Sequence, residues 1–188
     1  MSASPVPKLS VEEYLELDRV AERRSEYYDG EMFPVLAASW EHARIVTNTA
    51  RRLSERLDGR PCWVATATAR LRVSPTKLVY PDFMVVCGKP VFTAEDQDTL
   101  TNPRVIVEIL SPSTADYDYG GKFALYRGLP SFEEYLLIAQ DEPRIEVFRK
   151  MPDDRWVLSS YVGLDAVVRV ETLEIDIPLA EIYFEAAP

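Results

Sequence analysis

Arg104-Val105-Ile106-Val107-Glu108-Ile109-Leu110-Ser111-Pro112-Ser113-Thr114 decides how this chain folds. Its first part is a near-continuous apolar run, the pattern of a strand covered on both faces. Ser111 to Thr114 closes the run, and a helix is predicted from about Ala115 to Arg127, ended by Gly128. A second apolar run, Leu78 to Cys87, precedes it, separated by the polar, acidic Phe92 to Asn102, which reads as a loop. Downstream, Glu134–Ala139, Arg144–Arg149, Arg155–Tyr161 and Val167–Ile177 read as strands, and Pro178 opens a last helical turn through Tyr183.

Upstream the signals are local. Ser10 and Glu13 make a capping box for a short first helix. Glu26 to Phe33 reads as two short strands around the Asp29-Gly30 turn. Ser39 to Leu57 is helical: Trp40, Ala43, Val46, Ala50, Leu53 and Leu57 recur at spacings of three or four, with His42, Arg44, Arg51, Arg52 and Arg56 largely off that stripe. Trp63 to Val73 alternates like one strand, with Arg70 and Arg72 on its polar face. Trp40 and Trp63 read as core. The expectation is one α/β domain spanning 1–188, core about 10–184, with a mixed β-sheet flanked by helices.

At 188 residues the chain can bury a full core without disulfides or structural metal. No apolar run is long enough to span a bilayer, so no membrane partner is expected. Met1 to Ser10 lacks a secretory pattern, and Cys62 and Cys87 share no metal-ligand spacing. They read as reduced, buried thiols of a cytoplasmic protein. A net charge of −10 disfavours loose, charge-driven binding to nucleic acid. Residues 44–77 nevertheless carry eight Lys/Arg against two Asp/Glu. That segment is either a solvated helix face beside an ordinary strand or a phosphate-facing strip.

Asp82 and Glu108 each interrupt a strand of apolar residues. A carboxylate there costs several kcal/mol unless it is paired, protonated or metal-bound. Taken singly, Asp82 could sit at a strand end or pair with Lys77 or an arginine, and Glu108 could pair with Lys122. On neighbouring strands, both could face one hard divalent ion, magnesium or manganese. His42, the one histidine, reads as a polar surface residue, or as a contact to phosphate, Glu26 or Asp82. Tyr117, Tyr119 and Tyr126 read as helix packing.

Pro81-Asp82-Phe83, Val107 to Thr114, Asp118-Tyr119-Gly120-Gly121-Lys122 and Tyr126-Arg127 together resemble the Uma-two family of bacterial restriction-endonuclease-like proteins. That family is similar to a branch of the PD-(D/E)XK nuclease superfamily. The resemblance runs from Val11 to about Ile182. It implies a restriction-endonuclease-like core that hydrolyses DNA phosphodiester bonds with Mg²⁺, or Mn²⁺, on acids of adjacent strands. Asp82 matches the first strand acid and Glu108 the second, both as catalytic and metal-binding residues. Leu110 stands where a lysine usually follows the second acid, so the resemblance passes that role to Lys122 on the next helix. Glu26 matches an upstream acid that completes such a site, and His42 a histidine at the start of the long helix. Tyr119 and Gly121 depart from the charged residues more usual there. A homodimer is the expected assembly, since cutting both strands needs two sites and the C-terminal strands offer an edge. Two other readings stay open: a non-catalytic nuclease-fold domain binding nucleic acid or a protein, and an α/β enzyme acting on a small phosphorylated substrate.

Overall fold

Ser10 caps the first helix through the predicted capping box: its hydroxyl accepts from Glu13 N–H, and the Glu13 carboxylate accepts from Ser10 N–H at 2.7 Å. The structure is a computed structural model and describes residues 8–186. The leader reading of Met1 to Ser10 therefore lies mostly outside the described residues.

Helix α1 (Val11–Val20) leads into the hairpin β1 (Ser25–Tyr28) and β2 (Glu31–Pro34), turned by Asp29-Gly30 with both residues at positive φ. Helix α2 (Trp40–Leu57) follows, then β3 (Cys62–Thr66), β4 (Arg70–Ser74), β5 (Lys77–Val79), β6 (Phe83–Cys87), β7 (Thr99–Leu100) and β8 (Val105–Leu110). Helix α3 begins at Ala115–Tyr117, widens into a π-helical stretch over Asp118–Lys122 and returns to α geometry over Phe123–Tyr126. Strands β9 (Glu134–Ala139), β10 (Arg144–Lys150), β11 (Trp156–Val162), β12 (Val167–Val170) and β13 (Ile175–Pro178) lead to the closing turn α4 (Leu179–Ile182).

The result is a mixed α/β domain, although its strands divide among three sheets rather than one. The central sheet runs β11-β10-β9-β8-β6-β3, with β8 and β9 parallel and the other pairs antiparallel. A second sheet runs β2-β1-β5-β4-β7, and β12 pairs β13. The period of two along β8 sends Val105, Val107 and Ile109 to one core, with Ile45, Leu53 and Leu57 of α2. Ile106 and Leu110 go to the other core, with Tyr126 of α3 and Leu71 and Val79 of the second sheet. Both faces of the central sheet are thus covered, which is why its strands read as unbroken apolar runs.

Several expectations need correction. Trp63–Val73 is two strands in different sheets, parted by a turn closed by Ala69 N–H on the Thr66 carbonyl. Leu78–Cys87 likewise breaks at Tyr80-Pro81-Asp82, where proline cannot donate to a ladder. Phe92–Asn102 holds β7, bridged to Phe92, and Val167–Ile177 is two strands around a 3₁₀ turn at Glu171–Leu173. Trp40 and Trp63 are exposed, not core. The buried stripe of α2 is Ile45, Thr49, Leu53 and Leu57, and His42, one turn before Ile45, faces inward with it rather than lying off it. Arg70 is buried, not on a polar face: its guanidinium pairs with Asp18 at 3.3 Å and Asp96 at 2.9 Å.

Cys62 and Cys87 are a disulfide, not reduced thiols, and both are only partly buried. The antiparallel register of β3 with β6 sets the two residues directly opposite each other, a relation invisible in their spacing along the chain. No helix among the described residues is long and apolar enough to cross a membrane. The basic segment 44–77 is extensively ion-paired within the chain. Each of its eight cations is ion-paired: Arg44, Arg51, Arg52, Arg56, Arg60, Arg70, Arg72 and Lys77.

Candidate active site

Strand register brings the two interrupting acids together. Phe83 pairs with Val107, so one step beyond β6 Asp82 stands across from Glu108. Glu108 faces α3, whereas Asp82, at the end of β6, reaches the β8 backbone and His42 of α2. Two hydrogen bonds lock them reciprocally: Asp82 N–H donates to Glu108 Oε2 at 3.2 Å, and Ile109 N–H donates to Asp82 Oδ2 at 2.8 Å.

Glu108 is 2% exposed, so it survives only because its oxygens are partnered. Its Oε1 accepts from Lys122 Nζ at 3.1 Å and from Tyr126 Oη at 2.6 Å. Burial raises the Glu108 carboxyl above its ordinary range; the Lys122 ammonium opposes this, and Asp82 and Asp118 add to it. Burial would lower Lys122, but the charges of Glu108, Asp118 and Glu26 outweigh it and hold the side chain as an ammonium. Tyr126, fully buried beside Glu108, keeps its phenolic proton, because burial and that carboxylate both push its titration well above normal. Its hydroxyl is a site hydrogen bond, not helix packing alone.

His42 Nε2 lies 3.0 Å from Asp82 Oδ1. The Ser39 hydroxyl, which caps α2 by accepting from His42 N–H, fixes where that helix starts. Glu26 stands beside the cluster: Oε1 accepts from Tyr80 N–H at 3.2 Å, two residues before Asp82, and Oε2 accepts from Tyr28 Oη at 2.9 Å. The structure thus places Asp82, Glu108, Lys122 and His42 in one connected cluster, with Glu26 at its rim.

Sequence reasoning gave Asp118 no role. It is buried, and its Oδ1 is 3.2 Å from Lys122 Nζ but outside hydrogen-bond geometry, so that oxygen accepts no hydrogen bond. Burial raises its carboxyl, against the pull of Lys122. The four-residue steps Asp118, Lys122, Tyr126 were the available signal, since they share a helix face. The π-helical stretch re-aims that face, and Gly120-Gly121, weak α-helix formers, occupy it.

The donor set fits a hard divalent ion of modest demands. With all three ionised, Asp82, Glu108 and Asp118 would outnumber the one lysine cation beside them, and the raised carboxyls of Glu108 and Asp118 reflect that shortage together with burial. Among the described residues no group of three His, Cys, Asp or Glu is arranged to hold a metal. Magnesium needs no such cage: it commonly takes one or two carboxylates and fills its shell with water and substrate phosphate. Not every buried acid here belongs to the site. Glu134 is fully buried, but its oxygens accept from Glu171 N–H and Thr172 N–H and hold the 3₁₀ turn.

The Uma2 family, described as "Putative restriction endonuclease", matches the chain over residues 11–180. Two relatives from Synechocystis sp. (strain ATCC 27184 / PCC 6803 / Kazusa) are similar over most of their length. The uncharacterized protein sll1609 is 35% identical over 168 residues, 89% of this chain and 95% of its own. The uncharacterized protein slr1290 is 31% identical over 179 residues, 95% of this chain and 92% of its own. The fold is shared with a crystal structure described as "a putative nuclease belonging to DUF820" from Anabaena variabilis ATCC 29413. The TM-score is 0.76 at 17% identity, covering 95% of this chain and 99% of that one.

Proposed function

From the chain's membership of the Uma2 "Putative restriction endonuclease" family, we propose that it is a metal-dependent endonuclease hydrolysing DNA phosphodiester bonds at Asp82, Glu108 and Lys122. The observation that carries this is the reciprocal locking of Asp82 and Glu108 with the Lys122 ammonium on Glu108. Bound Mg²⁺ or Mn²⁺ supplies Lewis-acid polarisation of the phosphate and a more acidic water. Asp82 and Glu108 would hold that ion, and His42 orients the Asp82 carboxylate. Lys122, kept charged, donates hydrogen bonds to the developing phosphate charge rather than acting as a base. Asp118 and Glu108 keep its ammonium in place, and Tyr126 fixes the Glu108 oxygen. Glu26 supports the rim through the Tyr80 backbone.

Supercoiled plasmid with Mg²⁺ or Mn²⁺ tests the reading. Wild type is expected to nick it and Asp82→Ala to leave it intact, with both folded by circular dichroism. If neither cuts, or both cut equally, the reading falls and the non-catalytic binding domain replaces it; cleavage of mononucleotides alone favours a small phosphorylated substrate.

The expected homodimer has its surface at the β11 edge of the central sheet, where Val157, Leu158 and Val162 are exposed. Light scattering at monomer mass removes it. The cytoplasmic location belongs to the same reading, without the support of reduced cysteines.

A further inference from the structure

The face of the β1–β2 hairpin beside the site is aromatic. Glu26 and Phe33 are direct cross-strand partners, and Tyr28 is two residues from Glu26, so all three side chains share one face. Tyr27 and Met32 take the opposite face and pack with Tyr14, Leu15 and Leu78. Tyr28 presents its ring edge-on to Phe33 at 5.6 Å and to Tyr117 of α3 at 6.5 Å. Phe33 and Tyr117 are 47% and 40% exposed, so each offers ring surface to solvent. A hydroxyl chain ties this wall to the site rim: Tyr117 Oη donates to Tyr28 Oη at 2.7 Å, and Tyr28 Oη donates to Glu26.

The wall is held in position. A side chain at Gly121 would run into the Tyr117 ring, which lies over that glycine. The departure from charge at Gly121 is therefore what lets the ring sit there. The wall carries little positive charge: neither Ser25–Pro34 nor Ala115–Gly121 contains a lysine or arginine, and Lys77, which faces the same side opposite Tyr28, is paired with Asp29 at 3.3 Å. The basic segment 44–77 is fully ion-paired within the chain. Duplex binding rests on phosphate neutralisation, whereas single strands add base stacking on aromatic rings.

We infer that Phe33 and Tyr117 form a stacking wall for an unpaired nucleobase, so that the site takes single-stranded or frayed nucleic acid in preference to intact duplex. The inference rests on the nuclease reading above and names its substrate class. An unpaired strand brings a π-face to each ring while its phosphate lies toward Asp82 and Glu108. An intact duplex keeps its base faces stacked and offers only phosphates to a wall whose nearby cation, Lys77, is already paired with Asp29.

The test is fluorescence anisotropy with a labelled oligothymidylate of about 12 nucleotides, within single-strand site sizes, and a duplex of equal length. Ca²⁺ replaces Mg²⁺ to suppress cleavage. Wild type is expected to bind the single strand more tightly. Phe33→Ala and Tyr117→Leu are each expected to weaken that binding by at least about fivefold. Tyr117→Phe, which keeps the ring and loses only the hydroxyl, is expected to bind as wild type does. Gly121→Ala, which displaces the ring without removing it, is expected to weaken binding; melting curves verify that each variant is folded. Equal or tighter duplex binding, no binding of either probe, or single-strand binding unchanged in Phe33→Ala and Tyr117→Leu overturns the inference. The plasmid assay separates the two ideas. Cleavage by wild type with stacking variants that bind normally removes the wall alone. Ring-dependent binding without cleavage of any substrate removes the nuclease alone.

Discussion

Asp82 and Glu108 are coupled through each other's backbone surroundings: the Asp82 amide donates to the Glu108 side chain, and the amide after Glu108 donates to the Asp82 side chain. Each carboxylate is therefore oriented by the strand that carries the other. Isosteric amides test this coupling. Asp82→Asn and Glu108→Gln keep the shape and are expected to lose at least about 100-fold in plasmid nicking, with a small shift in melting temperature for Asp82→Asn and a larger one for Glu108→Gln, which keeps an acceptor for Lys122 but not the charge. Glu108→Ala is expected to be different in kind. It leaves the Lys122 ammonium buried without its main partner and should destabilise the fold by about 3–5 kcal/mol in urea unfolding.

His42→Ala removes the imidazole that holds Asp82 Oδ1. Residues that orient metal-binding carboxylates typically contribute about 10- to 100-fold in metal affinity. The expected outcome is a weaker Mn²⁺ dissociation constant in that range by calorimetry, with the melting curve nearly unchanged. Unaltered Mn²⁺ affinity would show that His42 does not act through Asp82.

The buried Arg70 joins α1 and the second sheet to the loop before β7 by pairing with Asp18 and Asp96. Arg70→Ala removes the one buried cation between the two acids, leaving Asp18 to the more exposed Arg24 and Asp96 to the more exposed Arg19, and is expected to cost about 3 kcal/mol. A pH signature accompanies it. Burial would raise Asp96, but the Thr99 hydroxyl, Arg70, the Asp98 amide and Arg19 outweigh it and hold the carboxyl below its ordinary 3.8. The folded state then binds a proton less readily than the unfolded chain. The resulting stability is complete above the unfolded value and is lost as pH falls through the depressed folded value. Asp96→Asn is expected to be less stable than wild type at neutral pH, with the two curves converging as pH drops below about 4.

The Cys62–Cys87 disulfide closes a separation of 25 residues between edge strand β3 and β6. A crosslink over such a loop contributes roughly 3 kcal/mol. Cys62→Ser with Cys87→Ser, or reduction of the native protein, is expected to lower the unfolding midpoint accordingly. Alkylation under denaturing conditions followed by mass spectrometry should label no cysteine without reductant and both with it.

Much of this fold is legible along the chain because its signals are local. The capping box at Ser10 and Glu13, the Asp29-Gly30 hairpin and the apolar run of β8 each depend on residues a few positions apart. The acids at 82 and 108 stand out because a carboxylate conflicts with its own strand. The errors arose where pattern and partner part company. Alternation over Trp63–Val73 has the same period whether the chain stays in one sheet or crosses to another. Thr49 and His42 share the buried stripe of α2, but polarity hid them, while the large apolar Trp40 marked the wrong face.

The sequence by itself determined the element types, the α/β class and the chemistry available, because backbone propensity and hydrophobic period act over a turn or a few strand residues. Tertiary structure decided who meets whom. Antiparallel register set Cys62 on Cys87 and Asp82 across from Glu108. The widened turn of α3 aimed Asp118, Lys122 and Tyr126 at one carboxylate. Ion pairing neutralised a basic segment with acids up to 141 residues away, as in Arg44 with Glu185. These relations depend on strand order, register and packing across the whole chain, and no local period encodes them.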